Sequence, residues 1–455
     1  MMTSALPPGL LLAYYGDDFT GSTDAMEAMT AAGIDTVLFL APPTPALAAR
    51  FPTARCVGIA GSSRGRDPAW MRRELPKAFA CLAALSPPVL HYKVCSTFDS
   101  SPTIGSIGCA TELGVQHARA DWSPSIVGVP RLKRYQVFGN LFAAVQGVGY
   151  RLDRHPTMSR HPVTPMAEAD LRVHLREQTA RRIDLIDMVA LSEGSAATRL
   201  NDIRGEDVPT VLIDVLNDET LVAAGRLVWE HRGDGLFSAS SSGLSYALTA
   251  YWRAQGWVAG DVTLPRTIPV RNIAAVSGSC SPVTAGQIAW ARGNGFVVER
   301  MALDHVFNDD RYAEEIARLV GVAVSALDAG SSPLIASAEG PADEAVLNFD
   351  TLAARAGLSR TDAARKVGQA LAAVMQGILD QRPIKRVVIA GGDSSGEVMS
   401  MLNIDALTVS AELTPGAPLC RAWSSHPGRD GLELVLKGGQ IGTEDFFGLA
   451  RDGCV

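Results

Sequence analysis

The sequence predicts an α/β protein of two domains, each a mainly parallel sheet covered by helices, with the active site in the inter-domain cleft. Three observations carry that expectation. Apolar runs bounded by Gly, Pro, Asp or Ser recur along the chain and alternate with longer helical patterns, the rhythm of βα units. The 455 residues exceed one ordinary domain of roughly 100–200 residues. Residues 255–272, with two prolines and little helical periodicity, interrupt the rhythm and suit a crossover, which places the domains at 1–255 and 256–455.

In the first half, short apolar runs predict strands at Leu10–Tyr15, Thr36–Leu40, Cys56–Ala60, Leu90–Val94 and Ile126–Val129. Helical patterns follow polar loops at about Ser22–Ala32, Ala69–Ala83 and Gly105–Gly114. Residues 130–175 include HPTMSRHPVTPM, whose three prolines prevent a regular helix, so a long ordered loop or lid is expected. The rhythm resumes with Asp184–Leu191, Thr210–Asp214 and Gly235–Ala239. Beyond the crossover, strands at Ile273–Ser277, Phe296–Met301, Pro333–Ser337 and Arg386–Ala390 alternate with a helix from about Thr284 and a long one at about Ser359–Leu379. The alanine-rich run 352–375 fits that last helix, because alanine is the best helix former.

Composition narrows the function classes. Lys and Arg number 41 against 48 Asp and Glu, a net charge of −7, which argues against a nucleic-acid partner. The first apolar run has no Lys or Arg before it and is broken early by Asp17 and Asp18, so neither a signal peptide nor a membrane span is expected. Seven scattered cysteines, an odd number without a CxxC pair, predict a cytoplasmic protein with mostly buried thiols. The histidines closest to a useful spacing, His155 and His161, are six residues apart and do not share a helical face, which argues against a metal site there.

The chemistry-bearing motifs fall where strands end. In YYGDDFTGSTDAMEA the adjacent Asp17 and Asp18 follow a strand, where open sheets bind ligands. Either the pair supplies a general base or hydroxyl acceptor, or one aspartate merely caps the following helix. HYKVCSTFDSSPTIGSIG gathers Lys93, Ser96, Thr97, Asp99, Ser100 and Ser101, groups suited to a carboxylate and the alcohols of a small hydroxy acid, or else a solvated turn. Arg64 in GIAGSSRG could add a guanidinium to the same edge, or lie on the surface. In the second half, SGSCSPVTAGQ and AGGDSSGEV lead from strands into helices, and LKGGQIGTEDFF adds a third glycine-rich loop. Such turns let backbone N–H groups and helix dipoles face phosphate, although no GxxxxGK[ST] loop and no GxGxxG after a strand occur. An acidic, hydroxyl-rich site in one domain and a phosphate site in the other predict a phosphotransferase whose cleft closes to exclude water.

Taken in order, GDDFTGSTDA, KVCSTFDSSP, GNLFA with RHPTMSRHPVTPM, SGSCSPVTAGQ, GGDSSGEV, PGAPLCRA and LKGGQIGTEDFF resemble the four-carbon acid sugar kinase family, from about residue 10 to 447. The resemblance implies an N-terminal domain that binds a sugar acid, a C-terminal domain that binds ATP, and phosphorylation of a terminal hydroxyl. It puts Asp17 and Asp18 at the sugar, one of them the base, with Arg64, Lys93, Ser96 and Asp99 on its carboxylate and hydroxyls. It assigns Ser279, Ser281, the run Gly391, Gly392, Asp393, Ser394 and Ser395, and Gly438 with Gly439 to the ATP phosphates and ribose. Mg²⁺ would bridge phosphate oxygens, held mainly by ATP and water with one carboxylate such as Asp393.

The loop STFDSSP is similar to members acting on 3-oxo acids, whereas members acting on threonate or erythronate have an STLRGN-like loop. Phe98–Asp99 in place of Leu–Arg sets an anion where those members carry a cation. The implied substrate is 3-oxo-tetronate or the branched 3-oxo-isoapionate. The alternatives are a D-threonate or D-erythronate 4-kinase, and a non-catalytic binding or effector protein on the same fold. The implied partners are the sugar acid and ATP, with a homodimer as a possible assembly.

Overall fold

A computed structural model describes residues 5–145, 147–161, 163–258 and 264–453. The chain divides into two compact units, Met1–Thr263 and Leu264–Val455.

The main sheet of the first unit is parallel throughout. Its strands are β1 (Leu12–Gly16), β2 (Thr36–Phe39), β3 (Cys56–Ala60), β4 (Val89–Lys93) and, much later in the chain, β11 (Leu236–Ser240), in the order β11-β4-β1-β3-β2. All five are buried along their length, which is why they read as continuous apolar runs rather than as alternation. A smaller parallel sheet, β5-β10-β9, comprises β5 (Ser123–Ser125), β9 (Ile183–Ile186) and β10 (Thr210–Ile213).

Serine hydroxyls join the two sheets. Ser123 Oγ donates to the Phe237 carbonyl at 2.9 Å, Ser125 Oγ to Ala239 at 2.7 Å, and Ser238 Oγ back to Pro124 at 2.8 Å. The strand expected at Ile126–Val129 is thus displaced to Ser123–Ser125, where polar hydroxyls replace the apolar signature. The run expected as a strand at Asp184–Leu191 is a strand only to Ile186; Asp187 then caps a helix, Met188–Ser192.

Residues 130–175 are more regular than a lid loop. They form an antiparallel meander of β6 (Arg134–Val137), β7 (Asn140–Val145) and β8 (Val148–Arg151), followed by short 3-10 turns and a helix, Leu171–Arg176. The first turn places both Phe138 (φ +50°) and Gly139 (φ +77°) in the left-handed region, which a phenylalanine rarely adopts. Buried Asp214 holds it there, accepting from the Phe138 N–H at 2.5 Å and the Gly139 N–H at 3.0 Å.

Helices Asp218–Glu230 and Gly243–Ala254 approach so closely that a Cβ on Gly225 would stand 1.9 Å from the Ala247 carbonyl oxygen. Gly225→Ala is therefore expected to destabilise the first unit by about 1–3 kcal/mol through overpacking. Urea unfolding measures it, and an unchanged midpoint would show that the helices separate freely.

The second unit adds β12 (Ala274–Ser277), β13 (Phe296–Arg300), β14 (Ser332–Ala336), β15 (Arg386–Ala390), β16 (Ala406–Thr414), β17 (Ala417–Trp423) and β18 (Glu433–Lys437). In the order β16-β17-β18-β15-β12-β14-β13, the last five are parallel and the pairs β16–β17 and β17–β18 antiparallel. The antiparallel hairpin, which contains the PGAPLCRA motif, had no counterpart among the sequence expectations. Ile288, Leu334, Val388, Val435, Phe446 and Phe447 belong to the core of this unit. The alanine-rich helix runs Arg360–Gln381, capped by Ser359, whose Oγ accepts from the Asp362 N–H at 3.1 Å.

Candidate active site

At the carboxyl edge of the first sheet β1, β3 and β4 end in register, with Gly16 opposite both Ala60 and Lys93. The segments that follow are thereby gathered: Asp17 and Asp18 after β1, Arg64 in the 3-10 turn Ser63–Gly65 after β3, and Lys93 with the loop to Asp99 from β4. Backbone bonds tie these segments together. The Asp17 N–H donates to the Lys93 carbonyl at 2.9 Å, and the Arg64 N–H to the Asp17 carbonyl at 3.1 Å.

One guanidinium forks both aspartates. Arg64 Nε and Nη2 donate to Asp17 at 3.1 and 2.7 Å, while Nη1 and Nη2 donate to Asp18, each at 2.8 Å. Asp17 is 4% exposed and Asp18 5%, so ionising either is opposed by desolvation. What separates them is the remaining hydrogen bonding. Asp18 caps helix Phe19–Ala31, accepting from the Gly21 N–H at 2.9 Å and from the Thr20 hydroxyl at 2.6 Å. Burial pushes its carboxyl up, but Arg64, Lys93 and these two donors outweigh burial and hold it below the usual carboxylate range. For Asp17 burial prevails over Arg64, the charge of Asp18 adds to it, and the carboxyl is pushed up to about 6. Adjacent carboxylates with opposed shifts separate a proton acceptor from a permanent anion.

Lys93 is buried, with Nζ 3.9 Å from Asp24 Oδ2. Gly21 leaves room for it, since a Cβ there would stand 2.5 Å from Nζ. In the following loop Thr97 Oγ1 donates to Asp99 at 2.5 Å. Burial pushes Asp99 up, yet Arg64, His161 and the Thr97 hydroxyl together hold it below the ordinary range. Ser96 is half-buried in the same loop. Phe98, fully buried at φ +55°, packs its ring 6.2 Å from that of His174 and so anchors the loop. Of the Phe98–Asp99 pair, only Asp99 joins the charged cluster.

The second unit repeats the arrangement with different chemistry. β18, β15 and β12 are neighbours whose last residues, Lys437, Ala390 and Ser277, stand opposite one another. Ser279 and Ser281 follow β12, Gly391 follows β15, and Gly438 with Gly439 follow β18, all at one edge. Gly391 has φ +121°, and a Cβ on it would stand 2.4 Å from Ser394 Oγ and 3.2 Å from Ser279 N. Two helices, Pro282–Gly293 and Gly392–Met401, start at this edge and direct their N-termini there.

Several serines expected to touch phosphate have other partners. Ser281 Oγ caps its helix at Thr284 N (3.0 Å) and donates to the Gly439 carbonyl; buried Ser395 donates to the Gly391 carbonyl at 2.5 Å. Ser394 Oγ lies 3.4 Å from the same carbonyl. These hydroxyls hold the turns, and the Gly391 N–H is itself bonded to the Lys437 carbonyl at 2.8 Å. The side chain of Asp393 lies outside the described residues. Sequence reasoning passed over Lys437 and Thr284: Lys437 Nζ donates to Thr284 Oγ1 at 2.9 Å and to the Gly438 carbonyl at 3.0 Å. Its signal was a lysine closing an apolar strand immediately before two glycines.

The residues at these two edges lie inside two matching family models, a sugar-binding N-terminal domain over residues 12–248 and a nucleotide-binding C-terminal domain over residues 274–447. The chain is 65% identical to a 3-oxo-isoapionate kinase of Paraburkholderia graminis, over 99% of this chain and 96% of that protein. It is 31% identical to a 3-oxo-tetronate kinase of Methylobacterium radiotolerans, over 97% and 99%. Among solved structures, a chain from Salmonella typhimurium described as a putative tRNA synthase superposes with a TM-score of 0.75 at 23% identity, over 97% and 98%. At that identity the likeness is one of fold.

Proposed function

This chain belongs to the four-carbon acid sugar kinase family, and we propose that it transfers the γ-phosphate of ATP to a terminal hydroxyl of a 3-oxo acid sugar, the branched 3-oxo-isoapionate in particular. The observation that carries the choice of acid is the 65% identity to the 3-oxo-isoapionate kinase over 99% of the chain. The linear 3-oxo-tetronate is the second reading, supported by relatives at about half that identity.

In this reading Asp17 is the base. It accepts the proton of the attacking hydroxyl as that oxygen bonds to the γ-phosphorus; the bond from phosphorus to the β,γ-bridging oxygen breaks, and ADP leaves. Asp18, held anionic, and Arg64 fix Asp17 in place. The guanidinium and the Lys93 ammonium attract the acid's carboxylate, while Ser96 and Asp99 take hydroxyls. In the second unit, the N–H groups of Gly392 and Gly439, in turns shaped by Ser279 and Gly391, take the phosphates. Mg²⁺ bound to ATP would neutralise phosphate charge. Phosphate oxygens and water are its expected ligands, as suits a small hard cation carried by a nucleotide. Among the described residues no helix is long and apolar enough to cross a membrane.

A coupled ADP assay against threonate, erythronate, their 3-oxo forms and 3-oxo-isoapionate tests the assignment. Highest kcat/KM on 3-oxo-isoapionate is expected; preference for threonate or erythronate would overturn it. The same assay reads the base. Because Asp17 must be deprotonated to act, kcat/KM should climb as pH rises through about 6 and level off above it. A profile flat from about pH 5 to 7 would remove Asp17 from that role.

A further inference from the structure

We propose that Lys437 is the positioning residue of the nucleotide site, its ammonium drawing back the carbonyls of Gly438 and Gly439 so that the N–H groups of Gly439 and Gln440 face the phosphates. The inference rests on the second unit binding ATP, and adds a group that chooses the conformation of the phosphate-binding turn.

The geometry is specific. Lys437 is the last residue of β18 and is fully buried. Its three acceptors are neutral oxygens: Thr284 Oγ1 at 2.9 Å, the Gly438 carbonyl at 3.0 Å and the Gly439 carbonyl at 3.5 Å. The Gly439 carbonyl also accepts from Thr284 Oγ1 at 3.1 Å and from Ser281 Oγ. In a trans peptide the carbonyl and the next N–H point in opposite directions. Carbonyls drawn toward Lys437 therefore turn the Gly439 and Gln440 N–H groups away from it, and among the described residues nothing accepts from either. Consecutive free N–H groups of this kind form an anion-binding concavity.

The charge itself carries the rest. Besides these oxygens, the Phe446 ring faces the ammonium at 5.6 Å. Burial alone pushes Lys437 down to about 7. Near pH 8 the amine is then mostly neutral in the free protein, with one N–H fewer to hold the turn. Bound phosphate favours the ammonium, so nucleotide binding should draw a proton onto Lys437.

Calorimetry of Mg-ADP binding near pH 8, in two buffers of different ionisation enthalpy, measures that proton. Net uptake is expected for the wild type and none for Lys437→Met, which should also bind Mg-ADP about ten- to a hundred-fold more weakly while the KM for the acid sugar stays unchanged. Wild-type binding without proton exchange overturns the inference even if Lys437→Met fails to fold. So does equal affinity in a folded Lys437→Met. Wild-type protein that binds no nucleotide overturns the reading of the site itself, and this inference with it.

Discussion

Asp17→Asn is expected to lower kcat by about 10²–10⁴-fold, the range a positioned general base contributes, with little change in either KM. The amide keeps the shape and one acceptor oxygen for Arg64 but cannot take a proton. Stability should hold or rise, because burial already disfavours the Asp17 carboxylate and pushes it up to about 6. Asp18→Asn is the control: asparagine caps a helix as well as aspartate does, so the bond from the Gly21 N–H survives. Steady-state kinetics with thermal unfolding on both variants separates the roles. If Asp17→Asn turns over within a few-fold of wild type while Asp18→Asn is inactive, the base is Asp18.

Arg64→Ala should be the most damaging change to folding in the first unit. It leaves Asp17 and Asp18, both nearly fully buried, without the guanidinium that bonds all four carboxylate oxygens. Removing one partner of a buried ion pair typically destabilises by about 3–5 kcal/mol. The pH dependence distinguishes this from lost packing. Without Arg64 the folded-state pKa of each carboxyl moves up relative to the wild type, and for Asp17 it is already above its unfolded value. A carboxyl raised on folding costs stability that accumulates as pH rises from its unfolded pKa and is complete above its folded one, whereas a depressed carboxyl such as Asp18 contributes stability that is fully present by pH 5. The stability deficit should therefore already be present near pH 5, through Asp18, and be larger near pH 8, where Asp17 must ionise as well, by urea unfolding. A deficit equal at both pH values would mean that Arg64 does not act through the charge of Asp17.

Much of this was legible in the sequence, because the candidate residues of each unit follow buried parallel strands. Such strands appear as apolar runs, and their carboxyl ends are where the chain must turn, so Asp17, Asp18, Lys93, Ser279 and Gly391 could be placed before any coordinates. Arg64 stood as an alternative between site and surface; its side chain is mostly buried and paired with Asp17 and Asp18. Pairwise hydrogen bonding was invisible. Ser123–Ser125 joins its neighbour through hydroxyls rather than apolar side chains, and the β6–β7 turn depends on Asp214, a residue 76 positions from Phe138. Lys437 was hidden for a related reason: nothing in composition distinguishes a solvated lysine from one buried against two carbonyls. Asp18 resolves the two readings of the acidic pair in part, since it does cap the helix, and leaves Asp17 as the carboxyl free of that duty.

Phosphorus NMR of purified protein with MgATP and 3-oxo-isoapionate tests phosphotransfer most directly. A phosphate-monoester resonance that grows mole for mole with ADP, without inorganic phosphate, is the expected result. Inorganic phosphate as the only new product, or no ADP with either 3-oxo-isoapionate or 3-oxo-tetronate, would contradict it.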